Sequence, residues 1–143
     1  MQQPIMTTAI RQLDRRSSHR SVLVSTSERR QRYQRGVVAE FFAAALLMLK
    51  GYRILARRHR TRLGEIDLIA VRGQRLAFVE VKRRPTIEDA TQSIGERQTQ
   101  RISAAAEQWV WRHPAYHGHQ IGLDAVVIAP GRWPCHLANA LQS

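Results

Sequence analysis

The sequence predicts an α/β protein with an αβββαβ order of elements, in which helices flank a mixed sheet. Two short strands joined by a tight turn lie at residues 64–84, a long apolar helix precedes them, and a second helix and a last strand follow. Strands joined by short turns are antiparallel, whereas a strand reached through a crossover helix lies parallel to its neighbour. We therefore expect a sheet that combines an antiparallel meander with one parallel pair.

Length and charge favour one domain that binds a polyanion. The chain has 143 residues and a formal net charge of +12, and Lys50 and Lys82 are its only lysines. Arginine binds phosphate through a planar fork, so this balance favours nucleic acid as a partner. No apolar run is long enough to span a bilayer, and the single Cys135 excludes an internal disulfide. We therefore expect a cytoplasmic protein without a membrane partner.

Residues 1–32 are predicted to be a disordered basic extension, and residues 33–143 the folded domain. The extension is rich in Arg, Ser, Thr and Gln, and its seven arginines against Asp14 and Glu28 leave a charge of +5. Such a segment would add non-specific affinity for phosphate. Its composition also fits an organelle transit peptide, or translated sequence upstream of the natural start, and these alternatives stay open.

The first helix is predicted over residues 33–50, because Ala and Leu dominate it and Gly51 follows as a helix stop. A helix that is apolar on nearly every side is expected to be largely buried. Glu40 is the only charged residue in its apolar part, and a buried unpaired carboxylate is costly. Glu40 is therefore expected to have an arginine, a water network or a metal as partner, unless it lies on a narrow exposed strip.

An arginine-rich loop follows the first strand, which is predicted over residues 52–58. Arg58, Arg60 and Arg62 stand in this run, directly before the hairpin. Runs of charge are usually solvated, but their place beside the hairpin makes these three arginines candidates for contact with a phosphate backbone.

The hairpin formed by the second and third predicted strands carries the functional prediction. Its Gly-Gln dipeptide at residues 73–74 fits a two-residue turn with Gly first. In the register that this turn sets, Asp67 lies opposite Glu80 and Glu65 lies opposite Lys82, all on one face. The opposite face would be entirely apolar, with Ile66, Leu68, Ala70, Ala77, Val79 and Val81.

Two interpretations of the acidic face compete. Carboxylates directly opposite each other repel, so either the face is solvated, or Asp67 and Glu80 hold a hard cation such as Mg²⁺ with Lys82 beside it. Further along, the same face becomes apolar. That change fits a covered sheet with a polar pocket at one end better than a uniformly wet surface.

After the hairpin, the sequence predicts a loop at residues 86–93, a second helix at 96–112 and a last strand at 122–129. Near-helical spacing of apolar residues defines the helix, in which Trp109 is expected in the core. The apolar run of the last strand is typical of the inside of a sheet. Three histidines stand at residues 113–119, but their loose spacing does not favour zinc. The remainder is expected to be irregular or a short edge strand.

Taken together, the motifs resemble a known family. Asp67, followed after twelve residues by Glu80-Val81-Lys82, resembles the D…(D/E)-x-K signature of the restriction-endonuclease-like superfamily. Six segments in order are similar to the YraN-like bacterial family of predicted endonucleases, which is related to Holliday-junction resolvases. The segments are G-V-V-A-E at 36–40, G-Y-R-I-L at 51–55, G-E-I-D-L-I-A at 64–70, F-V-E-V-K-R-R at 78–84, Q-R-I-S-A-A-A at 100–106 and L-D-A-V-V-I at 123–128. The resemblance covers about residues 33–130 and implies a restriction-endonuclease-like core.

The resemblance implies a metal-dependent endonuclease on DNA, with branched or otherwise structured DNA favoured. Asp67 and Glu80 would ligate Mg²⁺ or Mn²⁺ together with the carbonyl of Val81, and Glu40 would reach the same site from the first helix. Lys82 would orient or deprotonate the attacking water and stabilise the charge that develops on the phosphate. Resolvase-like relatives often act as dimers, so a homodimer is a further expectation.

Phosphate contacts are expected beside the hairpin and at the start of the second helix, from Arg58, Arg60, Arg62, Arg83, Arg84, Arg97, Gln98 and Arg101. The resemblance would place a Lys at Gln98 and an Asn at Arg58. If that Lys normally contacts phosphate, Gln98 puts activity or substrate preference in doubt. The alternative function is therefore a non-catalytic nucleic-acid-binding protein that retains the nuclease fold.

Overall fold

The computed structural model describes the backbone of residues 5–142 and the side chains of residues 26–142. Its elements, in chain order, are helix α1 (Ile5–Leu49), strands β1 (Arg53–Thr61), β2 (Gly64–Arg72) and β3 (Arg75–Arg83), helices α2 (Ile87–Gln92) and α3 (Glu96–Arg112), a 3-10 turn (Pro114–Tyr116), and strands β4 (Gln120–Ile128) and β5 (Cys135–Leu137). The predicted αβββαβ order is confirmed. The structure adds the short helix α2, capped by the hydroxyl of Thr86, where the sequence predicted a loop.

Helix α1 begins much earlier than the sequence predicted. It starts at Ile5, whereas its apolar part begins only near residue 36. Residues 5–35 contain neither Gly nor Pro, so nothing in them breaks a helix once it has formed. The chain divides into two compact units, Met1–Val37 and Val38–Ser143. The predicted extension lies mostly outside the residues with described side chains, so its disorder and the boundary at residue 33 stay predictions.

One five-stranded sheet has the order β1-β2-β3-β4-β5. The pairs β1–β2, β2–β3 and β4–β5 are antiparallel, and β3–β4 is parallel. Helices α2 and α3 lie in the connection between β3 and β4. The predicted meander followed by a crossover and a parallel strand is therefore confirmed, and β5 is a short strand at the sheet edge.

The predicted register of the hairpin is confirmed over its apolar part. Arg72 lies opposite Arg75 across the turn, and the ladder continues to Leu68 opposite Val79. Gly73 in the turn has a φ of 56°, in the left-handed region that Gly adopts at no steric cost. Followed from the turn toward the start of β2, the ladder has Leu68 as its last paired residue, and Asp67 lies just beyond it.

The sheet carries a hydrophobic core on each face. One core joins residues of α1 to the sheet: Ala43, Ala44, Leu47, Leu68, Ala70, Ala77, Val79 and Val126. The other joins residues of α3 to the sheet: Ile69, Val71, Leu76, Phe78, Ile102, Ala105, Ala106 and Trp109. Trp109 is a core residue, as the sequence predicted.

Side chains along β2 do not alternate throughout. The prediction that Ile66 shares a face with Leu68 is wrong, since Ile66 packs with Ile69 in the core on the α3 side. Alternation is therefore interrupted between these residues, where Asp67 lies and where the β2–β3 ladder ends. Irregularities of this kind bend a strand and re-aim a side chain.

The prediction that α1 is largely buried is also wrong. Its buried residues form one stripe of mostly small side chains, Ala39, Ala43, Ala44 and Leu47, and larger apolar residues on its other sides are exposed, namely Val38, Phe41, Phe42, Met48 and Leu49. Spacing of four residues puts Ala39, Ala43 and Leu47 on one face, and only that face meets the sheet. Within the described part of the chain, no helix combines the length and apolar character needed to cross a membrane.

Candidate metal centre

Four carboxylates from three elements converge at one place. Asp67 lies on β2, Glu80 on β3 and Glu40 on α1. Carboxylate oxygens of Glu40, Glu65 and Asp67 all lie within 4.8 Å of one another. Glu80 lies close enough to Asp67 for its charge to raise the pKa of Asp67. Among the described side chains, no other group of three or more His, Cys, Asp or Glu residues is placed to share one cation.

Asp67 is anchored to the backbone of β3. Its Oδ2 accepts a hydrogen bond from the N–H of Val81 over 2.7 Å. Burial, and after it the charge of Glu80, raises the pKa of Asp67 to about 7, although the Val81 N–H acts in the opposite direction. Both protonation states of Asp67 are therefore populated at neutral pH. Val81, predicted to contribute its carbonyl, contacts the acidic group through its N–H.

Glu80 and Lys82 are linked through Gln98 of α3. The Gln98 Nε2 donates to Glu80 Oε1 over 2.6 Å, and the Gln98 Oε1 accepts from Lys82 Nζ over 2.7 Å. Lys82 Nζ lies 3.7 Å from Glu80 Oε1, and Lys82 is only 8% exposed. Burial raises the pKa of Glu80, even though the Lys82 ammonium acts in the opposite direction. Gln98, predicted as a phosphate contact, thus bonds directly to both members of the predicted catalytic pair.

Glu40 has the arginine partner that was one of its predicted alternatives. Arg58 Nε donates to Glu40 Oε2 over 2.6 Å, with side chains that are 26% and 17% exposed respectively. Arg58 has a φ of 49°. That left-handed conformation is unusual for a residue with a long side chain, and Asn adopts it more readily. The left-handed backbone at this position therefore explains why an Asn, which the resemblance would place here, suits it.

The predicted pairing of Glu65 with Lys82 is wrong. Glu65 lies opposite Arg60 on β1 and accepts from its Nε over 3.3 Å, while Lys82 bonds to Gln98. The physical reason is that the β2–β3 ladder ends before Asp67, so the register set by the turn does not extend to this pair.

The acidic group fits a hard divalent cation. Carboxylate oxygens are the ligands that Mg²⁺ and Mn²⁺ prefer. Asp67 and Glu80 both have raised pKa values because they are buried, and for Asp67 because the neighbouring carboxylates repel it. Bringing such groups together without a cation is costly. A cation shared by these oxygens would neutralise that charge.

The structure divides the predicted phosphate contacts into two sets. Arg58 and Gln98 bond to carboxylates of the acidic group. The exposed members are Arg60, Arg62, Arg83, Arg97 and Arg101. Arg84 is half-buried, and its Nη1 donates to the carbonyl of Arg83 over 2.8 Å.

Asp124 of β4 is a further buried carboxylate, which was not among the predicted site residues. It is fully buried and accepts hydrogen bonds from Arg75 Nη1 and Nη2, both at 2.7 Å, from His136 Nε2 at 2.7 Å, and from the Asn139 N–H at 2.9 Å. Burial by itself would raise the pKa of Asp124, but the bonds from Arg75 and His136 outweigh it and hold the pKa below its usual range. Its oxygens are thus committed to protein donors, which makes it a structural tie.

This tie also explains a glycine. A Cβ added at Gly122 would clash with Arg75 Nη2, so a side chain there would displace the guanidinium. The signal was available in the sequence, because Asp124 is a lone acidic residue in an apolar strand. A carboxylate buried in such a strand needs a partner, as Glu40 does in its helix.

Comparisons with known proteins agree on one family. The family described as "Uncharacterised protein family UPF0102" matches residues 39–128, a range that contains the whole acidic group. The chain is 51% identical to UPF0102 protein mlr4633 of Mesorhizobium japonicum over 115 residues, which is 80% of this chain and 92% of the relative. It is 50% identical to a UPF0102 protein of Methylorubrum extorquens over 116 residues, 81% and 91% of the two chains. It is 50% identical to UPF0102 protein R00337 of Rhizobium meliloti over 107 residues, 75% and 88% of the two chains.

Proposed function

Since the chain belongs to the bacterial family UPF0102, whose name states no activity, its site is the guide to its function, and we propose a metal-dependent nuclease that hydrolyses phosphodiester bonds of DNA. One observation carries the proposal: the carboxylates of Glu40, Glu65 and Asp67 converge, and Glu80 beside them is joined through Gln98 to the ammonium of Lys82. A protein that only binds nucleic acid needs no such combination. We also propose that the αβββαβ core belongs to the restriction-endonuclease-like superfamily.

The acidic group would hold Mg²⁺ or Mn²⁺ through Asp67 and Glu80, with Glu40 and the carbonyl of Val81 as further ligands. Bound there, the metal would polarise a phosphate and lower the pKa of water. The support is chemical: burial raises the pKa of Asp67 and that of Glu80, and the neighbouring carboxylates raise the pKa of Asp67 further. Arg58, which already neutralises Glu40, would keep that residue in position.

Lys82 would orient or deprotonate the attacking water and stabilise the negative charge that develops on the phosphate. Its bond to Gln98 fixes the position of Nζ on the side of Glu80. Lysine suits this role better than arginine, because an amine can release a proton when its surroundings demand it and a guanidinium does not.

DNA is the favoured substrate, and branched or structured DNA in particular. The net charge of +12 and the exposed arginines support a polyanionic partner. We place the activity in the cytoplasm and propose a homodimer as the active form, which sedimentation of the full chain with and without DNA would test.

The decisive experiment is a cleavage panel with Mg²⁺ and with Mn²⁺ over linear, nicked, flapped and four-way DNA. We expect cleavage that leaves 5′-phosphates, that EDTA abolishes, and that Asp67→Asn, Glu80→Gln and Lys82→Ala each abolish while the protein stays folded. Lys50→Ala is the matched control, because Lys50 is the only other lysine and contacts His136 outside the acidic group. Cleavage that persists in Lys82→Ala would falsify the assignment.

A second function, nucleic-acid binding without catalysis, is favoured by Gln98, which stands where the resemblance would place a Lys. It predicts salt-sensitive binding that EDTA leaves unchanged, and no cleavage of any substrate in the panel. The same panel therefore decides between the two functions.

A further inference from the structure

A pocket outside the acidic group is lined by three arginines. The cavity measures about 620 Å³, and its lining residues are Arg60, Thr61, Arg62, Gln108 and Arg112. The first three come from the end of β1 and the turn that follows it. The other two come from α3, where a spacing of four residues puts them on one face of the helix. The three guanidinium groups and the Gln108 amide offer hydrogen-bond donors, whereas the Thr61 hydroxyl already donates to the carbonyl of Gly64. None of the five side chains is acidic.

The positive charge of this pocket is only partly neutralised. Arg60 Nε lies 3.3 Å from Glu65 Oε2 in an exposed pair, which contributes little. Among the side chains described at residues 26–142, no carboxylate lies within ion-pair distance of Arg62 or Arg112. Three guanidinium groups around one cavity repel one another, so an anion bound between them would relieve that repulsion.

The pocket is connected to the acidic group through a single side chain. Glu65 accepts from Arg60, and its carboxylate lies within 4.8 Å of those of Glu40 and Asp67. Along α3, Gln98 contacts Glu80, whereas Gln108 lines the pocket ten residues later. The pocket therefore flanks the acidic group.

We propose that this arginine pocket binds a backbone phosphate of the DNA that flanks the phosphate at the acidic group. The proposal rests on the proposed function for its ligand, and it assigns Gln108 and Arg112 to binding, which the sequence did not predict. The guanidinium forks of Arg62 and Arg112 and the Gln108 amide give the phosphate oxygens donors from the β1–β2 turn and from α3. The substrate path therefore runs from the acidic group past the β1–β2 turn to the C-terminal end of α3.

The test measures DNA binding by the full chain in EDTA, where no metal-dependent cleavage occurs. Fluorescence anisotropy with a labelled 20-base-pair duplex and with a four-way junction is recorded over a series of salt concentrations. The pocket variant is Arg62→Ala/Arg112→Ala. Its matched control, Arg53→Ala/Arg132→Ala, removes the same charge from two other exposed arginines.

We expect the pocket variant to bind several-fold more weakly and to lose about one unit from the slope of log affinity against log salt. The control variant should lose clearly less affinity and clearly less of the salt slope. Equal losses in the two variants overturn the proposal, and so does a wild-type chain that binds neither DNA in EDTA. Thermal melts of both variants check that these exposed substitutions leave the fold intact.

Binding and cleavage together separate the pocket from the proposed catalysis. If no DNA is cleaved but the pocket variant shows the expected losses, the pocket stands and the nuclease does not. If DNA is cleaved but the pocket variant binds like the control, the nuclease stands and the pocket does not.

Discussion

The side-chain amide of Gln98 lies between Glu80 and Lys82, donating to the carboxylate over 2.6 Å and accepting from the ammonium over 2.7 Å. The two charged atoms are themselves 3.7 Å apart. Helix α3 therefore positions Lys82 through an uncharged group. This keeps the ammonium beside the acidic group without committing it to a direct hydrogen bond with Glu80.

Gln98→Ala should lower kcat by on the order of 10–100-fold and change KM little, because Lys82 then loses the partner that fixes its Nζ. Gln100→Ala is the matched control, since Gln100 is an exposed residue of the same helix. Steady-state kinetics on the best substrate of the cleavage panel measures both. A variant that loses substrate affinity but keeps kcat would identify Gln98 as a phosphate contact instead.

Metal binding should release protons below neutral pH. A cation competes with the proton of Asp67, whose pKa is raised to about 7. The apparent Kd for Mn²⁺ should therefore fall as the pH rises from about 5.5 to 7.5, and level off above that window. Calorimetry in two buffers of different ionisation enthalpy measures the proton release. A Kd that is the same at both ends of the window would contradict the raised pKa.

The metal-free protein should lose stability as the pH rises from about 4 to 7. In this window the unfolded chain has already released the proton of Asp67, whose ordinary pKa is 3.8, whereas the folded chain still binds it because its pKa is about 7. Folding is then favoured by low pH, and the contribution is lost as the pH passes the folded pKa. The raised pKa of Glu80 acts in the same direction. Melting temperatures of wild type and Asp67→Asn, compared across this window in EDTA, isolate the effect. Parallel curves for the two proteins would rule it out.

Arg58→Ala should lower the free energy of unfolding by about 1–2 kcal/mol, because it leaves the half-buried carboxylate of Glu40 without its donor. The loss should be smaller in saturating Mg²⁺, since a bound cation would then neutralise Glu40. Urea unfolding with and without Mg²⁺ measures both values. In the double variant Glu40→Gln/Arg58→Ala, the difference between the free energies of unfolding with and without Mg²⁺ should shrink. If that difference stays the same, Glu40 does not contact the metal.

Asp124→Ala should cost about 3–5 kcal/mol, because Arg75 then remains partly buried without its counter-ion. Gly122→Ala should also destabilise the fold by forcing Arg75 away from Asp124. Because Asp124 has a lowered pKa, its contribution is present at neutral pH and is lost under strongly acidic conditions. Urea unfolding measures these effects. If Asp124→Ala leaves stability unchanged, Asp124 is not a structural tie.

Much of the fold was predictable because it depends on local patterns. The bounds of α3 follow from helical spacing of apolar residues, and the pairing of Arg72 with Arg75 follows from the two-residue turn. Burial of α1 was mispredicted because its composition is apolar on several sides, while only the face of Ala43 and Leu47 meets the sheet. Composition does not tell how many neighbours an element has.

The sequence by itself determined that acidic residues and a lysine stand on two adjacent strands, and that Glu40 needs a partner, since turn chemistry and the cost of a buried charge act locally. Only the tertiary structure decided which partners these are. Arg58 contacts Glu40, and Gln98 links Glu80 to Lys82. These pairs are far apart in the chain, and the ladder of β2 and β3 ends before it reaches Asp67. Contacts of that kind depend on how a helix packs against the sheet, which no periodicity within a single element records.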